Sequence, residues 1–178
     1  MLNERICPIC HSYMGLKVDL SGWLKCPSCS FCKKEEKSMV TADEILMGRA
    51  KFEELSDELK KNLEELLIAV NKLREAYGKP MVVSSGYRPA ANNDKAGGSK
   101  KSSHMSLQAV DFRDNGDLFE FIKKDPKILE SCGLYMEDPR WTKTWVHVQI
   151  RPTSKRIFLP YSDGRPATAP EREIKWPS

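Results

Sequence analysis

Two stretches decide the fold: Ser102-Ser-His104-Met-Ser-Leu-Gln-Ala109-Val-Asp111-Phe112 and Trp145-Val-His147-Val-Gln149-Ile150. The second alternates with a period of two, the pattern of a half-buried strand. It sends Val146, Val148 and Ile150 to one face and presents Trp145, His147 and Gln149 together on the other. The first ends in a second strand, Gln108 to Phe112, with Val110 and Phe112 turned to the core and Ala109 and Asp111 to the opposite face. One carboxylate and two of the chain's three histidines can therefore converge across a sheet, because His104 lies just ahead of the Asp111 strand. Two imidazoles and a carboxylate with an open fourth position form a catalytic-zinc ligand set, in which the metal lowers the pKa of a bound water to about 7. Singly, each residue has a blander use, His104 or His147 as a satisfied structural histidine and Asp111 as a turn or cap; together they point to metal chemistry.

Working outward, Met81 to Ser84 reads as a strand and Ser85-Gly-Tyr-Arg-Pro89 as turn chemistry. Ala90 to Lys101, with Asn92-Asn93 and Gly97-Gly98, is expected to be a long ordered loop without regular structure, of the kind usually kept for function. Further upstream, Thr41 and Glu44 form a capping box for a short helix through about Met47, stopped by Gly48. Ser56 caps a long helix whose apolar residues Leu59, Leu63, Leu66, Leu67, Val70, Leu73 and Tyr77 recur at steps of three and four until Gly78-Lys-Pro80. Downstream come a helix from Asp117 to Lys124, a helical turn from Lys127 to Cys132, and strands at Gly133 to Met136 and Arg156 to Leu159. The tail from about residue 160 carries Pro166, Pro170 and Pro177 and is expected to run extended. The sum is a small α+β domain over residues 39–178, with a short, mostly antiparallel sheet backed by helices.

Five of the six cysteines fall in the first 32 residues. Cys7-Pro-Ile-Cys10 and Cys26-Pro-Ser-Cys29 have the spacing of a zinc ribbon, each pair on a tight turn. Residues 1–38 are accordingly expected to be a zinc ribbon and linker, held by a structural zinc in place of a core. Cys32 competes with Cys29 for the fourth ligand position, and His11 is expected to be merely exposed. Met14 to Leu20 alternates and Ser21-Gly22 turns into Trp23-Leu24-Lys25, a hairpin, while Lys33 to Lys37 reads as a charged linker. A disulfide knot is disfavoured because Cys7 arrives before any apolar stretch long enough for a secretory signal. Cys132 is expected to be a buried thiol.

The chain of 178 residues is 40% hydrophobic and 30% charged, enough apolar content for a packed core. Its longest apolar run, Leu66 to Val70, is far short of the about 20 residues that cross a bilayer. A net charge of +4 suits an anionic polymer but is no nucleic-acid signature. The expected location is the cytoplasm, and no Walker loop or dinucleotide fingerprint is present.

Ser102 to Asp111 resembles the Ser-x-His-x-x-Gly-x-Ala-x-Asp motif of the zinc D-Ala-D-Ala peptidases, the LAS group that also holds hedgehog domains and phage L-alanyl-D-glutamate endolysins. Ser84-Ser-Gly-Tyr-Arg88-Pro is similar to that family's arginine loop, and Trp145-Val-His147-Val to its second-histidine strand. The resemblance spans about residues 40 to 160 and is closest to compact phage and prophage peptidases. It implies His104, Asp111 and His147 as zinc ligands, Arg88 as the group polarising the scissile carbonyl, and Ser102 as a pocket hydroxyl. Tyr87, Trp141, Trp145 and Tyr135 are candidate walls of a groove for peptidoglycan stem peptides, cleaved by a monomeric enzyme after release from a host cytoplasm. Two positions depart from the pattern. Leu107 replaces the motif glycine, which is tolerable where no positive φ is needed. Thr144 stands where many members carry the general base, so that role passes to Glu137, with Asp138 as the substitute. The alternatives are a zinc protein that binds peptides or cell wall without catalysis, and a zinc-ribbon adaptor; the ribbon's mixed charge does not favour nucleic acid.

Overall fold

The structure is a computed structural model that describes residues 39–160 and, outside them, the backbone of four short strands. The chain divides into two units, Met1–Ser38 and Met39–Ser178. In the first, β1 (Trp23–Lys25) pairs antiparallel with β2 (Cys32–Lys34), Leu24 facing Lys33. Lys33 and Lys34 thus belong to a strand, not to a linker, because the ladder with β1 takes up their backbone groups. The expected strand at Met14 to Leu20, the thiols of Cys7, Cys10, Cys26, Cys29 and Cys32, and His11 lie outside the described residues.

The second unit opens with α1 (Ala42–Leu46), whose capping box joins Thr41 and Glu44 and whose end is marked by Met47 at φ 55. Helix α2 (Asp57–Tyr77) starts on the Ser56 hydroxyl, which accepts from Leu59 N, and stops at Gly78, in the left-handed region at φ 77. Its Leu63, Leu66, Val70 and Leu73 are fully buried and form one core with Val110, Phe112, Met136 and Val148. Each such side chain contributes about 1.5–3 kcal/mol of burial free energy, so this helix is the platform of the domain.

Strands β3 (Val82–Ser85), β4 (Ala109–Arg113), β5 (Tyr135–Glu137), β6 (Trp145–Gln149) and β7 (Ile157–Phe158) make a five-stranded sheet in the order β3-β4-β6-β5-β7. Three neighbouring pairs are antiparallel; β5 and β7 are parallel. The sheet is therefore mixed. β5 already occupies the place beside β6, so the chain turning back after β6 lies on the far edge of β5 and runs in its direction. Between the strands, α3 (Ala90–Lys95) follows β3, and α4 (Asp117–Lys124) and α5 (Lys127–Cys132) follow β4. Cys132 is buried, as expected. In the tail, β8 (Tyr161–Ser162) pairs with β9 (Arg165–Pro166), so the chain doubles back where an extended run is expected. No helix among the described residues is long and apolar enough to cross a membrane.

Two local expectations fail for physical reasons. Residues 90–95 are helical because Pro89 opens the turn at ψ 156 and Ala90-Ala91 favour it. Buried Asn93 then donates from Nδ2 to the carbonyls of Gly98 and Ser99, tying down the loop that follows. A Cβ on Gly98 would stand 2.2 Å from Asn93 Oδ1, so any other residue there would displace the Asn93 side chain. Leu107 does adopt a positive φ, 55°, and is fully buried. The strain of a left-handed leucine is offset by the core space its side chain fills.

Candidate active site

The sheet register aligns the chemistry in a row. Ser85 pairs with Asp111 across β3 and β4, and Asp111 pairs with His147 across β4 and β6. On β5, Tyr135 faces Gln149 and Met136 faces Val148; continuing that register places Glu137 beside His147, and Glu137 in turn faces Phe158 of β7. One face of the sheet thus carries Ser85, Asp111, His147, Glu137 and Phe158 side by side, while Val110, Phe112, Val146 and Val148 fill the core behind them. Phe158 meets the His147 ring edge-on, centroids 6.0 Å apart.

His104 reaches this row from the loop before β4. That loop is anchored at three points: Asn62 of α2 donates to Ser106 O at 2.9 Å, Arg88 N donates to His104 O at 3.1 Å, and Ser103 Oγ donates to Gln149 Oε1 at 3.0 Å. The His104 ring donates from Nδ1 to Gly86 O at 2.8 Å. A carbonyl only accepts, so Nε2 keeps its lone pair. It sits 3.3 Å from both Asp111 Oδ1 and His147 Nδ1, and His147 Nδ1 is 2.7 Å from Asp111 Oδ1. All three residues are buried.

Three electron-rich atoms aimed at one point repel each other unless a cation lies among them. Zinc with ligand bonds of about 2.0–2.2 Å in a tetrahedron needs its ligand atoms about 3.3 Å apart, and two of the three separations already match. The donor set therefore fits a divalent metal. Burial opposes the charge of Asp111, yet the two imidazoles beside it outweigh burial and hold it well below the usual carboxylate range, so it stands at the converging point as an anion. Burial pushes the pKa of His104 down, whereas His147 ends above the ordinary histidine value because Asp111 overcomes its burial.

Arg88 gives Nη2 to Asp111 Oδ2 at 2.7 Å and Nε to Ser85 Oγ at 2.8 Å, so both oxygens of Asp111 are engaged. The loop that carries Arg88 is seated on the end of α1: Gly86 N donates to Met47 Sδ, and Tyr87 N to Ile45 O at 2.7 Å. A Cβ on Gly86 would lie 2.0 Å from Ile45 O, so only glycine permits this seat.

The remaining expected residues divide by environment. Burial raises the pKa of Glu137, an effect tempered by His147, and no hydrogen bond holds its carboxylate among the described residues. Asp138, buried, is clamped by Arg140 through Nε at 2.9 Å and Nη2 at 2.8 Å. Ser102 accepts from His104 N, an internal loop contact. Tyr87 packs against the hydrophobic core. Trp145 is 37% exposed, opposite Arg113, which itself faces Val82 on β3. Trp141 lies under Arg140 and Tyr135 under Arg156, the latter at 4.1 Å. Gly86 and Ser103 lie within the quoted motifs but carry no expected role there, and Asn62 lies outside them, hinted at only as an Asn on an apolar helix face.

No curated protein matches the chain. Residues 37–149, more than half of its length, match the family model of peptidase M15. That span runs from just before α1 to the end of β6 and takes in His104, Asp111 and His147, the arginine loop and the strand pairing that brings them together. The resemblance to the zinc D-Ala-D-Ala peptidases is borne out, and the chain belongs to the peptidase M15 family.

Proposed function

We propose that the chain is a zinc-dependent peptidase that hydrolyses peptide bonds in the stem peptides of bacterial peptidoglycan. Support comes chiefly from the convergence of His104 Nε2, Asp111 Oδ1 and His147 Nδ1, with a carboxylate next in the row. These three atoms would hold zinc, which supplies Lewis acidity to the scissile carbonyl and acidifies a water. Glu137 takes a proton from the attacking water and returns it to the leaving amine, so water is added across the C–N bond. Asp138 is committed to Arg140 and does not share this role. Arg88 orients Asp111 through Nη2 and keeps Nη1, which has no partner among the described residues, for the developing oxyanion.

On one side of the catalytic row, Ala109 and Gln149 are buried; on the other, Val82, Arg113 and Trp145 form an exposed strip on the same face. We assign that strip as the floor on which the peptide lies, Trp145 giving apolar contact and Arg113 a cation for a substrate carboxylate. The spacing of Cys7, Cys10, Cys26 and Cys29 or Cys32 supports a structural zinc in residues 1–38, with a targeting or stabilising role.

The test is incubation of the purified full chain with muropeptides, followed by mass spectrometry, with a chelator and after zinc is restored. Cleavage that vanishes with the chelator and returns with zinc is expected, and the cleaved bond distinguishes carboxypeptidase from endopeptidase. A zinc-loaded protein inert on every stem peptide would leave a binding protein of the same fold.

A further inference from the structure

Gln149 stands two residues beyond His147 on β6, on the same face, and is 5% exposed. Its amide orientation follows from its partners. The backbone carbonyl of Arg151 only accepts, so Gln149 presents Nε2 to it, at 2.7 Å. The amide oxygen must then point the other way. There it receives the Ser103 hydroxyl at 3.0 Å and faces His147 Nε2 at 3.4 Å. An oxygen that only accepts requires His147 to carry a hydrogen on Nε2, which leaves the lone pair on Nδ1, the atom aimed at Asp111 and His104.

We propose that Gln149 is a positioning residue that fixes His147 as the Nε2–H tautomer and so sets the affinity of the site for its metal. It rests on the reading of His104, Asp111 and His147 as metal ligands. The two histidines bind through opposite nitrogens, Nε2 for His104 and Nδ1 for His147, and each needs its own acceptor. Gly86 O serves the first and Gln149 Oε1 the second. Ser103 has a double use: its hydroxyl holds the Gln149 oxygen, and it neighbours His104, so one contact joins the His104 loop to the His147 strand. Without an acceptor, His147 can place its hydrogen on either nitrogen, and the Nδ1–H form cannot ligate at the converging point.

The full chain has only three histidines, so a protein labelled with ¹⁵N-histidine gives a spectrum simple enough to read tautomers directly. The parent, Gln149→Leu, Gln149→Glu and Ser103→Ala are titrated with zinc against a chromophoric chelator, and long-range ¹H–¹⁵N spectra are recorded for each. The expected parent spectrum shows a protonated Nε2 and a zinc-shifted Nδ1 in His147, with the reverse in His104. Gln149→Leu should weaken zinc by about 10–100-fold and mix the His147 tautomers. Gln149→Glu keeps an acceptor for Nε2–H but sets a second acceptor against the Arg151 carbonyl, so it should keep the single Nε2–H tautomer of His147 whatever its zinc affinity. Ser103→Ala should weaken zinc by about two- to tenfold and, as the milder change, serves where Gln149→Leu fails to fold. Parent-like zinc affinity and a single His147 tautomer in Gln149→Leu, or mixed His147 tautomers in Gln149→Glu, would overturn the proposal. A parent in which zinc moves neither histidine signal would overturn the metal reading itself, a distinct result.

Discussion

Replacing Leu107 by glycine and by alanine should invert the usual order of the two residues. Leu107 lies between His104 and Asp111, where the family pattern has glycine, and its φ is 55°. Its side chain is fully buried, so truncation to alanine costs about 2.7–5 kcal/mol in lost contacts and cavity. Alanine keeps a Cβ and therefore keeps the left-handed penalty of about 1–2 kcal/mol; glycine removes it. In ordinary backbone, glycine is about 0.5–1 kcal/mol worse than alanine because its unfolded chain is freer. The two effects oppose, and the left-handed term is the larger. Leu107→Gly should therefore be more stable than Leu107→Ala by up to about 1 kcal/mol, and both should fall below the parent. Urea unfolding of the full chain at fixed zinc, followed by helical circular dichroism, separates them by as much as about 0.5 M in midpoint for a slope near 2 kcal/mol/M. An alanine variant more stable than the glycine one by about 0.5–1 kcal/mol, the ordinary order, would refute a left-handed Leu107, and with it the path by which the loop delivers His104.

Other consequences concern catalysis. Glu137→Gln should reduce kcat by about 10²–10⁴-fold with zinc content unchanged, whereas Asp138→Asn, which breaks the clamp on Arg140, should lower the melting temperature and spare most of kcat. Muropeptide kinetics and calorimetry on the pair decide between the two acids; parent-like kcat in Glu137→Gln would remove it as the base. Arg88→Ala should lower kcat by about 10²–10³-fold and also weaken zinc, since Asp111 Oδ2 loses its partner; an effect on KM alone would make Arg88 a substrate clamp. Arg113→Ala should raise KM for carboxylate-bearing peptides and leave kcat in place, measured against a neutral amidated substrate that should show no change.

Periodicity made much of this molecule legible. The 3.6-residue repeat and the Ser56 and Gly78 caps bound α2, and the alternation in Trp145 to Gln149 assigns its residues to the two faces of the sheet. What alternation cannot supply is who stands next to whom. Neither the parallel pairing of β5 with β7 nor the pairing of β1 with β2 can be read from local pattern, because each depends on which edge is free when the chain returns. Helix α3 was hidden for a related reason: Asn93, a turn former by propensity, is buried and gives its side-chain N–H groups to carbonyls farther along the chain. At Leu107, composition spoke against a left-handed residue, and packing prevailed.

The same distinction bears on the general base. A motif records neighbours along the chain, and by that measure the acid is missing, since Thr144 occupies its place three residues before His147. In the fold Thr144 is exposed, and its carbonyl is taken by Asp114 N at 3.0 Å, pinning the chain as it enters β6. The register offers another neighbour. Glu137 arrives on β5, in the row of Asp111 and His147, with its parity set by Met136 facing Val148 in the core. Asp138, one residue on, has the opposite parity and is held by Arg140, so a shift of one position separates an acid available to the site from one that serves the loop. On the reading proposed, a proton acceptor lost from one strand is replaced from the strand beside it, a substitution that keeps the geometry of the row while erasing its trace in the local motif.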